Sequence, residues 1–196
     1  EKSNEITAIP ELLDILDIAG SVITIDAMGC QTKIVEKIIE KEADYLIGLK
    51  GNQVSLNKDV RLLFETKPNE IHFQVAEEHD KGHGRLETRR CSATEDIQWL
   101  REQYPQWKGL RSIVEIESRR EIKGEISFEK RYYISSLAAP PKSLLNVVRQ
   151  HWGIENKLHW VLDVSFGDDQ SRIRKGNAPK NMAIIKKTVL NLLNII

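Results

Sequence analysis

The stretch Ser21-Val22-Ile23-Thr24-Ile25-Asp26, followed by Ile34, Val35, Ile38 and Ile39 and then by Tyr45-Leu46-Ile47-Gly48-Leu49-Lys50, decides the fold. Its first six residues form a β-branched, mostly apolar run that ends in an acid, which reads as a buried strand. The four aliphatic residues after it are spaced along one face of a helix. The third piece is another apolar run, closed by Lys50-Gly51. Strand, helix and strand in succession predict a parallel pair with a right-handed crossover, and so an α/β class. Upstream, Pro10 stands at a predicted helix start. Leu12, Leu13, Ile15, Leu16 and Ile18 supply that helix's apolar face, and Gly20 is expected to end it.

Downstream the rhythm changes. Leu56, Val60, Leu63 and Phe64 mark a short amphipathic helix between Gly51 and Pro68. Ile71, Phe73 and Val75 alternate as a strand, Asp80-Lys81-Gly82-His83-Gly84 reads as a turn, and Arg85 to Cys91 as the returning strand. Trp99 to Trp107 suggests a short helix and loop. Ile113 to Glu121 and Glu125 to Leu137 form a second predicted hairpin around Lys123-Gly124. Pro140-Pro141 then opens a helical segment with Leu144, Leu145, Val148, Trp152, Glu155 and His159 at helical spacings. Phe166 to Asp169 is a loop. Asn177-Ala178-Pro179 starts a last helix, with Asn177 as its N-cap and Ile185, Val189, Leu192 and Ile196 as its stripe. The four tryptophans and both cysteines, Cys30 and Cys91, are expected in the core.

The chain has 196 residues, with 29 Lys+Arg balanced by 29 Asp+Glu. That length suits one domain or one domain carrying a large insertion. No run approaches the ~20 apolar residues of a membrane span, and the first ten residues do not resemble a signal peptide. Two cysteines do not make a disulfide scaffold in a chain this long. A soluble, cytoplasmic setting without membrane partners is the expectation.

Zero net charge excludes a uniformly basic nucleic-acid binder, but the charge is unevenly placed. Gln170 to Ile196 holds six cations (Arg172, Arg174, Lys175, Lys180, Lys186, Lys187) and no acid. Lys81 to Arg90 holds four cations against Glu87 alone. Local basic surfaces on a neutral chain suit contact with phosphates in defined places; ordinary solvated faces account for the same charges.

Two acids draw attention. Asp26, at the carboxyl end of a predicted parallel strand, would face the crevice where open α/β sheets bind ligands; an N-cap or turn residue is the plainer reading. Glu155 lies midway between His151 and His159, four residues from each, so a continuous helix would stack the three in one column. That column suits metal ligands beside an apolar stripe of Ile154, Leu158 and Val161. An amphipathic helix with a solvated Glu is the alternative. Gly153 costs such a helix about 1 kcal/mol.

Five blocks, in order, resemble one family: Thr24-Ile25-Asp26-Ala27-Met28-Gly29-Cys30-Gln31; Leu49-Lys50-Gly51-Asn52-Gln53; His83-Gly84-Arg85-Leu86-Glu87-Thr88-Arg89; His151-Trp152-Gly153-Ile154-Glu155-Asn156-Lys157-Leu158-His159-Trp160-Val161-Leu162-Asp163-Val164; and Asn177-Ala178-Pro179. They resemble the DDE transposases of bacterial insertion sequences, in the branch of the H-repeat-associated proteins. The resemblance runs from Lys2-Ser3-Asn4-Glu5-Ile6 onward.

The resemblance implies an RNase H-like core with three acids: an Asp on the first strand, an Asp ending the fourth, and a Glu on a late helix. Asp26 matches the second acid and Glu155 the third. It also implies a division into residues 1–50 (first part of the core), 51–130 (a β-rich insertion) and 131–196 (the Glu helix and C-terminal helix). The first Asp would lie upstream of Lys2. The chain is therefore expected to be a C-terminal portion, incomplete in its first strands and inactive alone. In the wider pattern a Tyr and an Arg precede the Glu at fixed offsets; Val148 and His151 stand there in this sequence.

The implied chemistry is phosphodiester cleavage and strand transfer on double-stranded DNA, at transposon ends and at the target, by a homodimeric complex on the bacterial nucleoid. Mg²⁺, with Mn²⁺ as substitute, would be held by Asp26 and Glu155, because hard cations take carboxylate oxygens. Lys50, Asn52 and Gln53 would contact a phosphate or a flipped base near Asp26. His83, Arg85 and Arg89 alternate along one strand with Glu87, so all would face one way. His151, Lys157, Arg172, Arg174 and Lys175 would hold the DNA backbone. Phosphate contacts of this kind position without reading sequence. Two other classes fit parts of the pattern. One is a zinc hydrolase built on His151, Glu155 and His159, although the usual His-Glu-x-x-His order is absent. The other is a catalytically dead DNA-binding remnant.

Overall fold

The computed structural model describes residues 5–82, 85–138, 140–154, 158 and 160–193. The chain divides into two compact units, Glu1–Val148 and Arg149–Ile196.

In the first unit α1 (Glu5–Ile15) leads to β1 (Val22–Ile25). A 3-10 turn at Ala27–Gly29 follows, then α2 (Thr32–Glu40) and β2 (Asp44–Leu49). Next come α3 (Val54–Thr66), β3 (Gln74–Gly82), β4 (Arg85–Thr94) and α4 (Gln98–Gln103). β5 (Ser112–Ile122) and β6 (Glu125–Ser135) precede α5 (Pro141–Ile154), whose last residues belong to the second unit.

The expected parallel pair is present: Val22 to Ile25 of β1 align with Asp44 to Ile47 of β2. The remaining strands extend the same sheet, in the order β1-β2-β6-β5-β4-β3. β6 runs antiparallel beside β2, with Ile47 opposite Ile134, so residues 51–130 share a sheet with the first strands. Two serines secure that junction. Ser135 Oγ donates to the Tyr45 carbonyl at 2.7 Å, and the Tyr45 N–H donates to Ser136 Oγ at 2.9 Å.

One face of the sheet carries the main core. Ile34, Val35 and Ile38 of α2 and Leu56, Val60, Leu63 and Phe64 of α3 pack with Tyr45, Ile47 and Leu49 of β2. Ile113, Tyr132 and Ile134 extend it along β5 and β6, and Leu100 and Trp107 close it near α4. The carboxyl end of α1 is capped from α2's end: Lys41 Nζ donates to the carbonyls of Leu13, Asp14 and Leu16 at 2.7–2.8 Å. A cation there also suits the helix dipole.

Several local expectations are corrected. α1 begins at Glu5 and contains Pro10, so the proline forfeits one helical hydrogen bond instead of opening the helix. The helix ends at Ile15, while Gly20, at φ +71°, donates its N–H to the Glu42 carbonyl in a later turn. β3 starts at Gln74 and runs through Asp80 to Gly82, because those residues find ladder partners in Glu87, Leu86 and Arg85. Trp99 is 38% exposed, whereas Trp107 is buried and Trp160 is 58% exposed. Cys30 and Cys91 are both buried free thiols, as expected.

The second unit contains the end of α5, a π-helical turn at Val161–Ser165 and α6 (Ala178–Leu193). Lys186 Nζ on α6 pairs with Asp168 at 2.7 Å. Among the described residues, no helix is long and apolar enough to cross a membrane.

Candidate functional site

Asp26 is the residue immediately after β1. Because β1 and β2 are parallel, their carboxyl ends lie at one end of the sheet, which brings the turn after Asp26 beside the loop after β2. Asp26 is exposed, in extended backbone (φ −61°, ψ 164°), just before the 3-10 turn. Its side chain does not cap that turn, and α2 is N-capped by Gln31, so Asp26 is a turn residue and not the N-cap of α2. The turn is held by its own backbone: the Gly29 N–H donates to the Asp26 carbonyl at 2.9 Å and the Cys30 N–H to the Ala27 carbonyl at 3.1 Å.

The loop after β2 is tied to that turn. Asn52 Nδ2 donates to the Ala27 carbonyl at 2.6 Å, and Gln53 Nε2 to the Cys30 carbonyl at 2.7 Å. Gly48 lets the two segments close: a Cβ there would sit 3.2 Å from the Ala27 backbone nitrogen. At Gly29 a Cβ would fall 2.2 Å from Ile25 Cγ2. Lys50 lies exposed between β2 and these amides.

The basic residues of β4 occupy a different place. β4 is separated from β1 by β2, β6 and β5. At ~4.8 Å per strand, four spacings amount to roughly 19 Å. Arg85, Glu87 and Arg89 do share one face, and Arg120 of β5 stands directly opposite Glu87. Glu87 is almost fully buried and draws all three arginines: Arg89 Nη2 at 2.7 Å, Arg120 Nη2 at 3.2 Å and Arg85 Nε at 3.6 Å. Arg89 also approaches Asp80 at 4.0 Å. The cluster holds three guanidinium groups against one buried carboxylate, with Asp80 at its margin. Arg120 was missed in the sequence; the hairpin register that sets it opposite Glu87 is the signal that finds it.

In the second unit, Arg172, Arg174 and Lys175 are exposed in the segment before α6. Arg174 Nη1 donates to the carbonyls of Ser171 and Ile173, which stiffens that bend. His151 packs edge-on to Trp152, ring centres 5.9 Å apart. Glu155, Lys157, His159 and His83 lie outside the described residues. Among the described residues no group of three or more His, Cys, Asp or Glu side chains gathers to hold a metal.

Open α/β sheets bind ligands outside the carboxyl ends of their parallel strands, and Asp26 stands exposed at that end of β1. The chain itself belongs to the transposase DDE domain family, whose model matches residues 1–192. It is 44% identical to "Putative transposase YncI" of Escherichia coli O157:H7, over 98% of this chain and 50% of that protein. It is 42% identical to "H repeat-associated putative transposase YhhI" of Escherichia coli strain K12, over 98% of this chain and 52% of that protein. A Xanthobacter autotrophicus protein, "Uncharacterized protein in dhlA 3'region", is 48% identical over 71% of this chain and 47% of its own length. The chain thus spans about half the length of the curated relatives it matches. No solved structure matches it.

Proposed function

We propose that this chain carries the second and third acids, Asp26 and Glu155, of a divalent-metal site that cuts and joins double-stranded DNA in a bacterial insertion-sequence transposase. The observation that carries the reading is the position of Asp26, exposed at the carboxyl end of β1 in a turn braced from β2. Membership of the DDE family across residues 1–192 supplies its context.

The core on this reading is RNase H-like. β1 pairs with β2 and has no other partner strand among the described residues, so its outer edge is open to further strands. Those strands, and the first Asp, come from the part of the relatives' length that this chain does not span. Residues 1–50 and 131–196 belong to the core and 51–130 to the insertion, and the 196 residues alone do not cut DNA.

Asp26 suits Mg²⁺ or Mn²⁺ because its donors are hard carboxylate oxygens, and Mg²⁺ sites use one or two carboxylates with phosphate and water filling the remainder. Glu155 and the upstream Asp complete the set. Bound divalent ions stabilise the attacking and leaving oxygens of an in-line displacement. Asp26 holds its carboxylate at the carboxyl end of β1. Lys50 meets phosphate beside it. Arg85, Arg89 and Arg120, with His83, form a separate backbone contact on the insertion. His151, Lys157, Arg172, Arg174 and Lys175 contribute cationic and polar contacts in the second unit. Water as nucleophile nicks a strand; a terminal 3′-hydroxyl joins it to the target. The active complex is a homodimer on the nucleoid.

The test is strand cleavage by the full-length protein on a labelled transposon end with Mg²⁺ or Mn²⁺. Asp26→Asn and Glu155→Gln each reduce cleavage to background while DNA binding persists. Unchanged cleavage in either variant overturns the assignment, and salt-dependent DNA binding with no cleavage by the unsubstituted protein identifies a catalytically dead remnant.

A further inference from the structure

The Asn52 and Gln53 amides stand beside the Asp26 turn, where a direct role on DNA suggests itself. Their hydrogen bonds point elsewhere. Each NH2 group donates one hydrogen bond to a carbonyl of the turn, Asn52 at 2.6 Å to Ala27 and Gln53 at 2.7 Å to Cys30. These are the short, well-placed lengths of strong amide hydrogen bonds. The two carbonyls bracket the 3-10 turn, Ala27 at its start and Cys30 just past its end.

Gly48 completes the arrangement from the strand itself. Its missing side chain lets the Ala27 backbone lie against β2, with 3.2 Å to a Cβ that is not there. Gly29 repeats the device inside the turn, where any Cβ would run into Ile25. Three residues of β2 and its following loop therefore grip the peptide units that follow Asp26, while Asp26 itself stays exposed. A carboxylate on an isolated strand end samples several backbone conformations, and that freedom is lost when its backbone is fixed. A clamp formed in advance removes that loss from the moment of metal binding.

We infer that Gly48, Asn52 and Gln53 are positioning residues that preset the backbone of Asp26 for its metal, and that Asn52 and Gln53 do not act as DNA contacts. This rests on the reading of Asp26 as a metal ligand. In such an arrangement the side chains that matter never touch substrate or ion, yet set where the ligand stands.

The experiment uses the full-length protein and four variants: Asn52→Ala, Gln53→Ala, Gly48→Ala and Asp26→Asn. Mn²⁺ affinity is measured by electron paramagnetic resonance, DNA affinity by titration at several salt concentrations, and local opening by amide hydrogen exchange across residues 26–31. Asn52→Ala and Gln53→Ala are each expected to weaken Mn²⁺ about tenfold and to speed exchange in that segment. DNA affinity and its salt slope stay unchanged, and turnover falls with KM for DNA constant. Should Gly48→Ala or Gln53→Ala fail to fold, Asn52→Ala, at the exposed position of the loop, carries the test alone. A reduced DNA affinity or a flatter salt slope in the amide variants overturns the positioning role in favour of direct contact. Full Mn²⁺ affinity in the amide variants, with loss in Asp26→Asn, overturns the clamp and leaves the function of Asp26 intact. Full Mn²⁺ affinity in Asp26→Asn overturns that function and the positioning role built on it; the exchange data then report only a fold contact.

Discussion

Arg89 and Glu87, two residues apart on β4, meet at 2.7 Å with Glu87 almost fully buried. The carboxylate is the shared anchor of a cluster that also takes in Arg85 and Arg120. Removing it leaves Arg89, largely buried itself, without its main counter-charge. Breaking a buried pair from one side costs about 3–5 kcal/mol; because Arg85 and Arg120 reach solvent, about 2 kcal/mol is the expectation for Glu87→Gln. Urea unfolding monitored by tryptophan fluorescence checks it, and a loss near zero would show that the arginines spread into water without cost.

The same cluster predicts a DNA phenotype with the opposite sign. Glu87→Gln removes one negative charge from a surface proposed to meet phosphate, so DNA affinity at low salt rises. Arg85→Ala and Arg120→Ala lower it, and each flattens the plot of log K against log salt by about one phosphate's worth, a change in slope near 0.9. Binding isotherms between 50 and 200 mM salt measure this. If none of these substitutions moves the slope, the cluster is a structural ion network and nothing more.

Burial pushes both thiols, Cys30 and Cys91, up to about 12 from an ordinary value of 9.0. Burial likewise raises Tyr104 to about 12, with its hydrogen bond to the Asp59 carboxylate adding to the effect. In each case the unfolded chain loses its proton first. The protection is complete below pH 9 and is lost as pH rises from there toward 12. Stability curves should therefore be flat in this respect up to pH 9 and fall beyond it. At pH 8 both thiols should resist a disulfide reagent in the folded protein and react promptly in urea. Rapid modification of the folded protein would contradict their burial.

The hairpin turn between β5 and β6 places Lys123 at φ +51° and Gly124 at φ +84°. Both are left-handed, the signature of the mirror-image type I turn that suits the twist of two strands. Glycine takes this conformation freely; lysine does not. Lys123→Asn should stabilise the protein by about 0.5 kcal/mol, and Gly124→Ala should destabilise it by about 1 kcal/mol. Thermal melting of the two variants reads both signs, and an identical effect of the two would refute the turn assignment.

Residues 21–50 were legible in the sequence because their apolar runs are long, β-branched and separated by a helix-spaced quartet. Their parallel pairing follows from the length of the crossover. The turn at Lys123-Gly124 was legible because glycine announces a positive φ. The joining of β6 to β2 was not, since that register depends on contacts such as Ile47 with Ile134, far apart in the chain. The start of α1 was hidden because tertiary packing overrides the single hydrogen bond lost at Pro10. For the candidate site, the position of Asp26 at a strand end could be read from the letters. The amide bonds of Asn52 and Gln53 to the turn could not, because their spacing says only that they follow a strand. Arg120 needed the hairpin register before it could be seen.

On the proposed function Asp26 and Glu155 ligate the same ions, and Mn²⁺ binding in single and double variants of the full-length protein decides it. If the site is shared, Asp26→Asn and Glu155→Gln each abolish high-affinity Mn²⁺ binding, and the double variant is no worse than either alone, the non-additivity expected of residues acting as a unit. Losses that simply add, or a variant that binds Mn²⁺ as tightly as the unsubstituted protein, would show two unrelated carboxylates.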